Sequence, residues 1–168
     1  MKQFLIITLL ILLFQNTFSQ SDTETKAKNI VFAEVAGAGG FGSVNYEREL
    51  IKKSKFKFSL RGGLGMYHTK DYEMKFNPDL LIPCTMFLYY GEKHHLDFGI
   101  GETVSSIVYF NYEEMDKKRN YHLHTNFSLG YRYQKSTGGI FFKISYTPFL
   151  EFNETYTHWG SASIGYGF

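Results

Sequence analysis

The residues best suited to chemistry in this chain are six histidines: His68, His94, His95, His122, His124 and His158. His122 and His124 stand two apart, so on a strand they share a face. Glu113, Glu114 and His158 fall in flanking segments that could approach them. A His–Ser or His–carboxylate pair of this kind could activate a nucleophile. The local sequence His122-Leu-His-Thr-Asn126, however, carries no serine at a compact spacing from either ring. Two histidines on an inward polar face serve more simply as hydrogen-bonding groups. A metal site is weaker still, because His94 and His95 are expected at the opposite end of the strands from the others. The single cysteine, Cys84, excludes an intramolecular disulfide. No His or Lys is placed by sequence to activate it, so it is expected to pack. No catalytic, metal-binding or cofactor-binding residue is therefore assigned.

A second set of reactive side chains has a clearer pattern. Glu34, Glu47, Lys57, Arg61, Asp97, Arg132 and Lys143 each fall on the thinner face of a segment whose other face is apolar. Three acids and four bases gathered in one enclosed space can pair with one another. That reading requires strands, which place alternate residues on opposite sides.

The composition favours strands. Aromatics make up 18% of 168 residues, with 16 Gly and only 3 Pro, which suits strands and tight turns better than helices. Short alternating runs recur between turn signals. They are expected at about 30–37, 41–50, 56–66, 82–90, 96–104, 121–133, 140–149 and 160–168. Phe56, Phe58, Leu60, Leu64 and Met66 oppose Lys57, Ser59, Arg61, Gly63 and Gly65. Ala162, Ile164, Tyr166 and Phe168 alternate with Ser161, Ser163, Gly165 and Gly167. The run 82–90 has a blurred period, and Glu102 falls on the apolar face of its strand. Either a place near the rim or a bulge at Gly99 or Gly101 would relieve the latter.

The connections at 51–55, 91–95 and 134–139 are short. Those at 67–79, 105–120 and 150–159 are long and polar, and Gly37–Gly40 is the exception. Short turns on one side and long loops on the other match a bacterial outer-membrane barrel. Eight strands of about 8–13 residues suit a tilted crossing. Their interior holds only side chains, so the lumen is expected to be plugged. The inverse arrangement, apolar inside and polar outside, would be a soluble lipocalin-like barrel.

Residues 1–19 read as a cleaved secretory signal: Lys2, an apolar run from Phe4 to Phe14 broken by Thr8, then Thr17 and Ser19 before a cut at Gln20. Residues 20–28 read as a loose periplasmic lead-in and 29–168 as the barrel. The chain is nearly neutral, at +2, which gives no basis for a nucleic-acid partner.

The segment Glu34-Val-Ala-Gly-Ala-Gly-Gly-Phe-Gly-Ser-Val-Asn-Tyr-Glu-Arg48 resembles the opening of small outer-membrane barrels of Bacteroidota. Leu129–Gln134, Gly138–Lys143 and Tyr146–Phe149 resemble their closing hairpin. The resemblance spans about residues 30–168 and extends to the wider OmpA-like and OmpX-like barrels. It implies a closed eight-stranded antiparallel up-and-down transmembrane barrel in the outer membrane. It also implies that Ala162, Ile164, Tyr166 and Phe168 form the signal read by the barrel-assembly machinery. It carries no activity with it. The expected role is thus non-enzymatic: structural, in contact with outer-membrane lipid, with the external loops open to an extracellular ligand. The alternatives are a lipid-modifying enzyme using His122 and His124, a small pore, or a periplasmic lipocalin-like binder.

Overall fold

The computed structural model describes residues 27–71, 73–111, 116–151 and 157–168. It contains β1 (Asn29–Ala36), β2 (Gly42–Lys53), β3 (Phe56–Met66), β4 (Leu80–Gly91), β5 (His94–Asn111), β6 (Asp116–Gln134), β7 (Gly139–Tyr146), β8 (Phe149–Glu151) and β9 (Gly160–Gly167). Neighbouring strands pair antiparallel, β1 with both β2 and β9, and β5 with both β4 and β6. The sheet therefore closes on itself. At the seam Asn29 and Phe168 exchange two backbone hydrogen bonds, of 3.0 and 2.8 Å.

β7 and β8 are one stave of this barrel. Leu129 faces Tyr146 and Asn126 faces Phe149 in a single register along β6. Between them Pro148 lacks the N–H a ladder needs, yet its carbonyl still accepts from the Phe127 N–H at 2.9 Å. Nine strands thus make an eight-staved, all-antiparallel barrel, with no helix among the described residues.

Alternation sets the two faces. Along β3, Lys57, Ser59 and Arg61 are buried while Phe56, Leu64 and Met66 are exposed. Along β9, Ser161 and Ser163 are buried while Ile164, Tyr166 and Phe168 are exposed. Exposed apolar side chains around a polar interior are the arrangement of a lipid-facing barrel and the reverse of a lipocalin-like one. β4 resolves its blurred period in the same way: Leu81, Phe87 and Tyr89 point inward, and Ile82, Met86, Leu88 and Tyr90 outward. The pattern was hidden because both faces of this strand are apolar. Glu102 points outward. The β4–β5 register runs unbroken from Leu80↔Ser106 to Gly91↔His95, so no bulge turns it inward.

One expected loop is largely strand. Residues 105–111 and 116–120 extend the β5–β6 ladder as far as Asn111↔Asp116. The Ile107–Phe110 run supports this through its high β-propensity. The polar run opposite it concealed the strand, because a ribbon rising clear of the barrel has no lipid to face and needs no alternation. Leu150 and Glu151 likewise belong to β8, and Thr157 bridges back to Phe149. The end of the lead-in is fastened rather than loose: Ala27 donates to the Ser136 carbonyl at 3.0 Å, and Lys28 accepts from Glu49 N–H at 2.7 Å. The expected signal peptide, residues 1–19, and the lead-in residues 20–26 lie outside the described residues.

The barrel has a turn end and a loop end. Ser54-Lys55, Glu92-Lys93 and Lys135–Gly138 connect strands at the first. The 67–79 loop and the β5–β6 ribbon stand at the second.

Candidate functional site

In the cyclic order of eight staves, β2 lies opposite β6 and β1 opposite β5. Arg132 on β6 crosses the whole lumen to Glu47 on β2 and grips it with both terminal nitrogens; the Nη2–Oε2 arm measures 3.1 Å. Its Nε donates to Asp97 Oδ2 at 3.1 Å, and Lys143 Nζ meets the same oxygen at 3.1 Å. Ser59 donates to Glu47 Oε1 at 2.6 Å. A second fork joins Arg61 to Glu34 at 3.0 and 2.5 Å, while Arg61 Nε reaches Asn45 at 2.9 Å. These ions are almost wholly removed from solvent. Bidentate geometry is what makes such burial tolerable, since each carboxylate then has charged donors in place of water.

Of the seven lumen charges read from the sequence, six are brought into these two clusters. Lys57 takes a different partner: its ammonium rests 5.6 Å from the centroid of the Tyr89 ring. The aromatic part of the plug escaped sequence reading. Arg132 is enclosed by Tyr89, Phe87 and Phe141, at 4.3, 5.3 and 5.4 Å from its guanidinium carbon. Lys143 lies 3.7 Å above Phe87, and Arg61 lies 5.4 Å from Phe32. Cation–π contacts of this sort gain strength when desolvated. For Phe32 and Phe141 the signal that could have found them was their shared parity with Glu34 and Lys143 on the same strands; β4, which carries Phe87 and Tyr89, has no charged residue to set the phase.

Toward the loop end the filling changes. Ser43, Thr85, Thr103, Ser105, Asn126, Ser128, Ser145, Thr147, Ser161 and Ser163 are buried there. Ser145 and Ser161 share a hydrogen bond of 2.9 Å, Asn126 donates to Thr103 at 3.0 Å, and Ser163 reaches Glu34 at 3.3 Å. The Gly37–Gly40 segment folds inward across this mouth. Thr103, from the opposite wall, donates to the Ala38 carbonyl at 3.0 Å. Glycine is needed on both sides of that approach. Gly37 and Gly40 have φ of 89° and 83°, and a Cβ on Gly65 would sit 2.0 Å from the Gly39 carbonyl oxygen. The exceptional short loop is thus a cap on the lumen. At the rim, Trp159 lies 5.9 Å from Phe41 and 6.2 Å from Phe149, ring to ring.

The candidate chemical residues are not assembled. His124 lies inside the lumen, 6.1 Å from the Phe149 ring, and His122 is exposed above it. His94 contacts Tyr131 on the outer face, His95 is buried at the turn end, and His158 pairs with Tyr146. Glu113 and Glu114 lie outside the described residues. Among the described residues no three His, Cys, Asp or Glu side chains are grouped to hold a metal ion. At the loop end, Asp79 accepts from Val108 N–H at 2.9 Å and pairs with His68 at 3.0 Å. Arg119 reaches Asn77 at 2.6 Å and Ser106 Oγ at 3.0 Å. These bonds fasten the 67–79 loop to the β5–β6 ribbon. A cleft of about 360 Å³ remains between them, lined by His68, Lys70, Asp71, Asn77, Asp79 and Tyr109 among others.

Among solved structures the chain is similar to the N-terminal β-barrel domain of Pseudomonas aeruginosa OprF, with a TM-score of 0.57 and 14% identity over 86% of this chain and 98% of that one. At that identity the likeness is one of fold alone, a closed antiparallel β-barrel. No protein-family model matches the chain. No curated protein matches it either.

Proposed function

We propose that this protein is a non-enzymatic outer-membrane barrel that serves as a sealed structural element, with its loop end facing outward. The observation that carries this reading is the filled lumen: an arginine that spans it to a carboxylate on the opposite wall, walled by aromatic rings, beneath an inward-folded glycine cap. A barrel of eight staves has room for side chains and little else. The outward apolar band supports outer-membrane lipid as its surroundings, and the turn end as the periplasmic side. Under this reading residues 1–19 are a cleaved signal. Ala162, Ile164, Tyr166 and Phe168, which include the seam residue, are what the barrel-assembly machinery recognises. The Glu34–Arg48 segment supports a place among the small barrels of Bacteroidota. The cleft between the 67–79 loop and the β5–β6 ribbon supports a binding or adhesive role toward an extracellular ligand, since loops on a rigid scaffold are where binding residues concentrate.

The test is membrane fractionation followed by gel mobility in SDS, with and without boiling. A closed sheet exposes no edge and resists SDS until heated. The expected result is an outer-membrane protein whose band shifts on boiling. A soluble periplasmic protein with no shift would overturn the reading.

A further inference from the structure

Surface charge is unevenly shared between the two ends of the barrel. Near the turn end stand six exposed lysines, Lys28, Lys52, Lys53, Lys55, Lys93 and Lys135, against two acidic side chains outside the lumen, Glu49 and Glu92. At the loop end Lys70, Lys75, Lys118 and Arg119 are balanced by Asp71, Glu73, Asp79 and Asp116 among the residues whose side chains are described. Of the six lysines only Lys55 has a carboxylate partner among the described residues: Glu92 at 3.5 Å, in a pair exposed on both sides. Positive charge left uncompensated at one end attracts an anionic partner.

Water alone would satisfy scattered lysines, but two of these converge on a cleft. It has a volume of about 400 Å³ and is lined by Lys55, from the β2–β3 turn, and by Tyr90, Glu92, Lys93 and His94 of the β4–β5 hairpin. The His94 ring lies against Tyr131 and Tyr133, at 5.9 and 5.3 Å, and its Nδ1 is 2.5 Å from the Tyr131 hydroxyl. With that hydroxyl donating to Nδ1, Nε2 carries the proton and can donate to an anion. The Lys55–Glu92 pair is exposed and therefore weak, so Lys55 can turn to a better acceptor while Glu92 offers little competition. Two ammonium groups and an imidazole N–H from facing turns suit a phosphate, which offers charged acceptor oxygens to all three.

The position of the cleft adds the rest of the ligand. It opens at an aromatic belt. The Phe56 and Tyr90 rings meet with centroids 4.9 Å apart, and the same hydrogen-bonded row of outward residues runs on through Leu96 to Tyr131. Aromatic girdles of this kind sit at headgroup level. The next outward row toward the loop end, Leu88, Phe98 and Leu129, is exposed and wholly apolar, a surface for acyl chains. We infer that this cleft binds the phosphate of an anionic phospholipid in the leaflet at the turn end. The inference rests on the membrane reading above. A zwitterionic headgroup is the poorer fit, because its own cation would meet Lys93. Lys52 and Lys53, at the end of β2, add to the attraction without a fixed contact.

Native mass spectrometry of the folded protein in a neutral detergent, titrated with phosphatidylglycerol or with phosphatidylcholine, tests the site. One phosphatidylglycerol is expected to be retained about twentyfold more tightly than phosphatidylcholine, about fivefold for each of the two lysines. Lys55→Gln combined with Lys93→Gln, both at exposed positions, should fold as the parent does and lose that preference. Lys70→Gln at the loop end should keep it. Inorganic phosphate separates the two sources of the group: at equal concentration it should leave the lipid bound, because it lacks the acyl chains. Equal retention of the two lipids, an undiminished preference in the double variant, or displacement by equimolar inorganic phosphate would overturn the inference. The same samples run on a gel with and without boiling test the reading beneath it: a boiling shift with no lipid preference refutes only the lipid site, and no shift refutes the membrane barrel itself.

Discussion

The two halves of the lumen fill the same circular space by opposite means. Near the turn end a few long side chains do it: Arg132, which spans the lumen, and Lys143, Phe87, Tyr89 and Phe141 packed about it, cation against ring. Near the loop end many short ones do it, Ser and Thr hydroxyls bonded to near neighbours, with backbone supplied from the glycine cap to occupy the centre. The first half is cooperative, because removing one ion strands its partners. The second is more divisible, because its links join mostly neutral groups in short chains, Thr85 to Asn126 to Thr103 to Ala38 and Ser145 to Ser161, so that removing one strands no ion. The barrel is therefore expected to be braced at the turn end and more readily deformed at the mouth.

The largest expected effect tests the cooperative half. Glu47→Ala leaves Arg132 buried without its cross-lumen partner and should cost about 3–5 kcal/mol of folding stability. Urea unfolding in detergent micelles measures it. Because the pair acts as a unit, Glu47→Ala combined with Arg132→Ala should cost clearly less than the two singles added. Additive losses would mean the turn-end half is divisible too. Next is the cap. Gly65→Ala sets a methyl against the Gly39 carbonyl and should cost about 1–3 kcal/mol as an overpacked contact. Protease cleavage near Gly37–Gly40 should rise with it. Thr103→Val removes two bonds, its donation to the Ala38 carbonyl and the one it accepts from Asn126, and should cost about 2 kcal/mol, leaving unfolding otherwise unchanged. The smallest effect is at the surface. Lys55 and Glu92 form an ion pair at 3.5 Å that is well exposed on both sides, and Lys55→Ala should change stability by less than about 1 kcal/mol.

The turn-end half was the more legible in sequence. Lys57, Arg61, Asp97, Arg132 and Lys143 interrupt small residues on strands whose other face is apolar, and parity alone assigns them inward. Which charge meets which was not legible. Arg132 and Glu47 are 85 residues apart in the chain, and their meeting depends on β2 standing opposite β6 in a closed ring. The aromatic walls were missed where both faces of a strand are apolar, as at Phe87 and Tyr89. The Gly37–Gly40 cap looked like a short turn because an inward-folded loop has no periodicity to read. The β5–β6 ribbon was hidden for the same reason: beyond the lipid, a strand needs no alternating faces. Glu102, which broke the alternation, broke it in the structure as well.

The central claim is that the lumen is sealed from end to end, and conductance tests it most directly. Purified, heat-modifiable protein reconstituted in a planar bilayer should give flat current traces under applied voltage, at protein levels where an open barrel of similar size gives steps. Discrete, reproducible single-channel steps from the unmodified chain would show a continuous aqueous path and contradict the account.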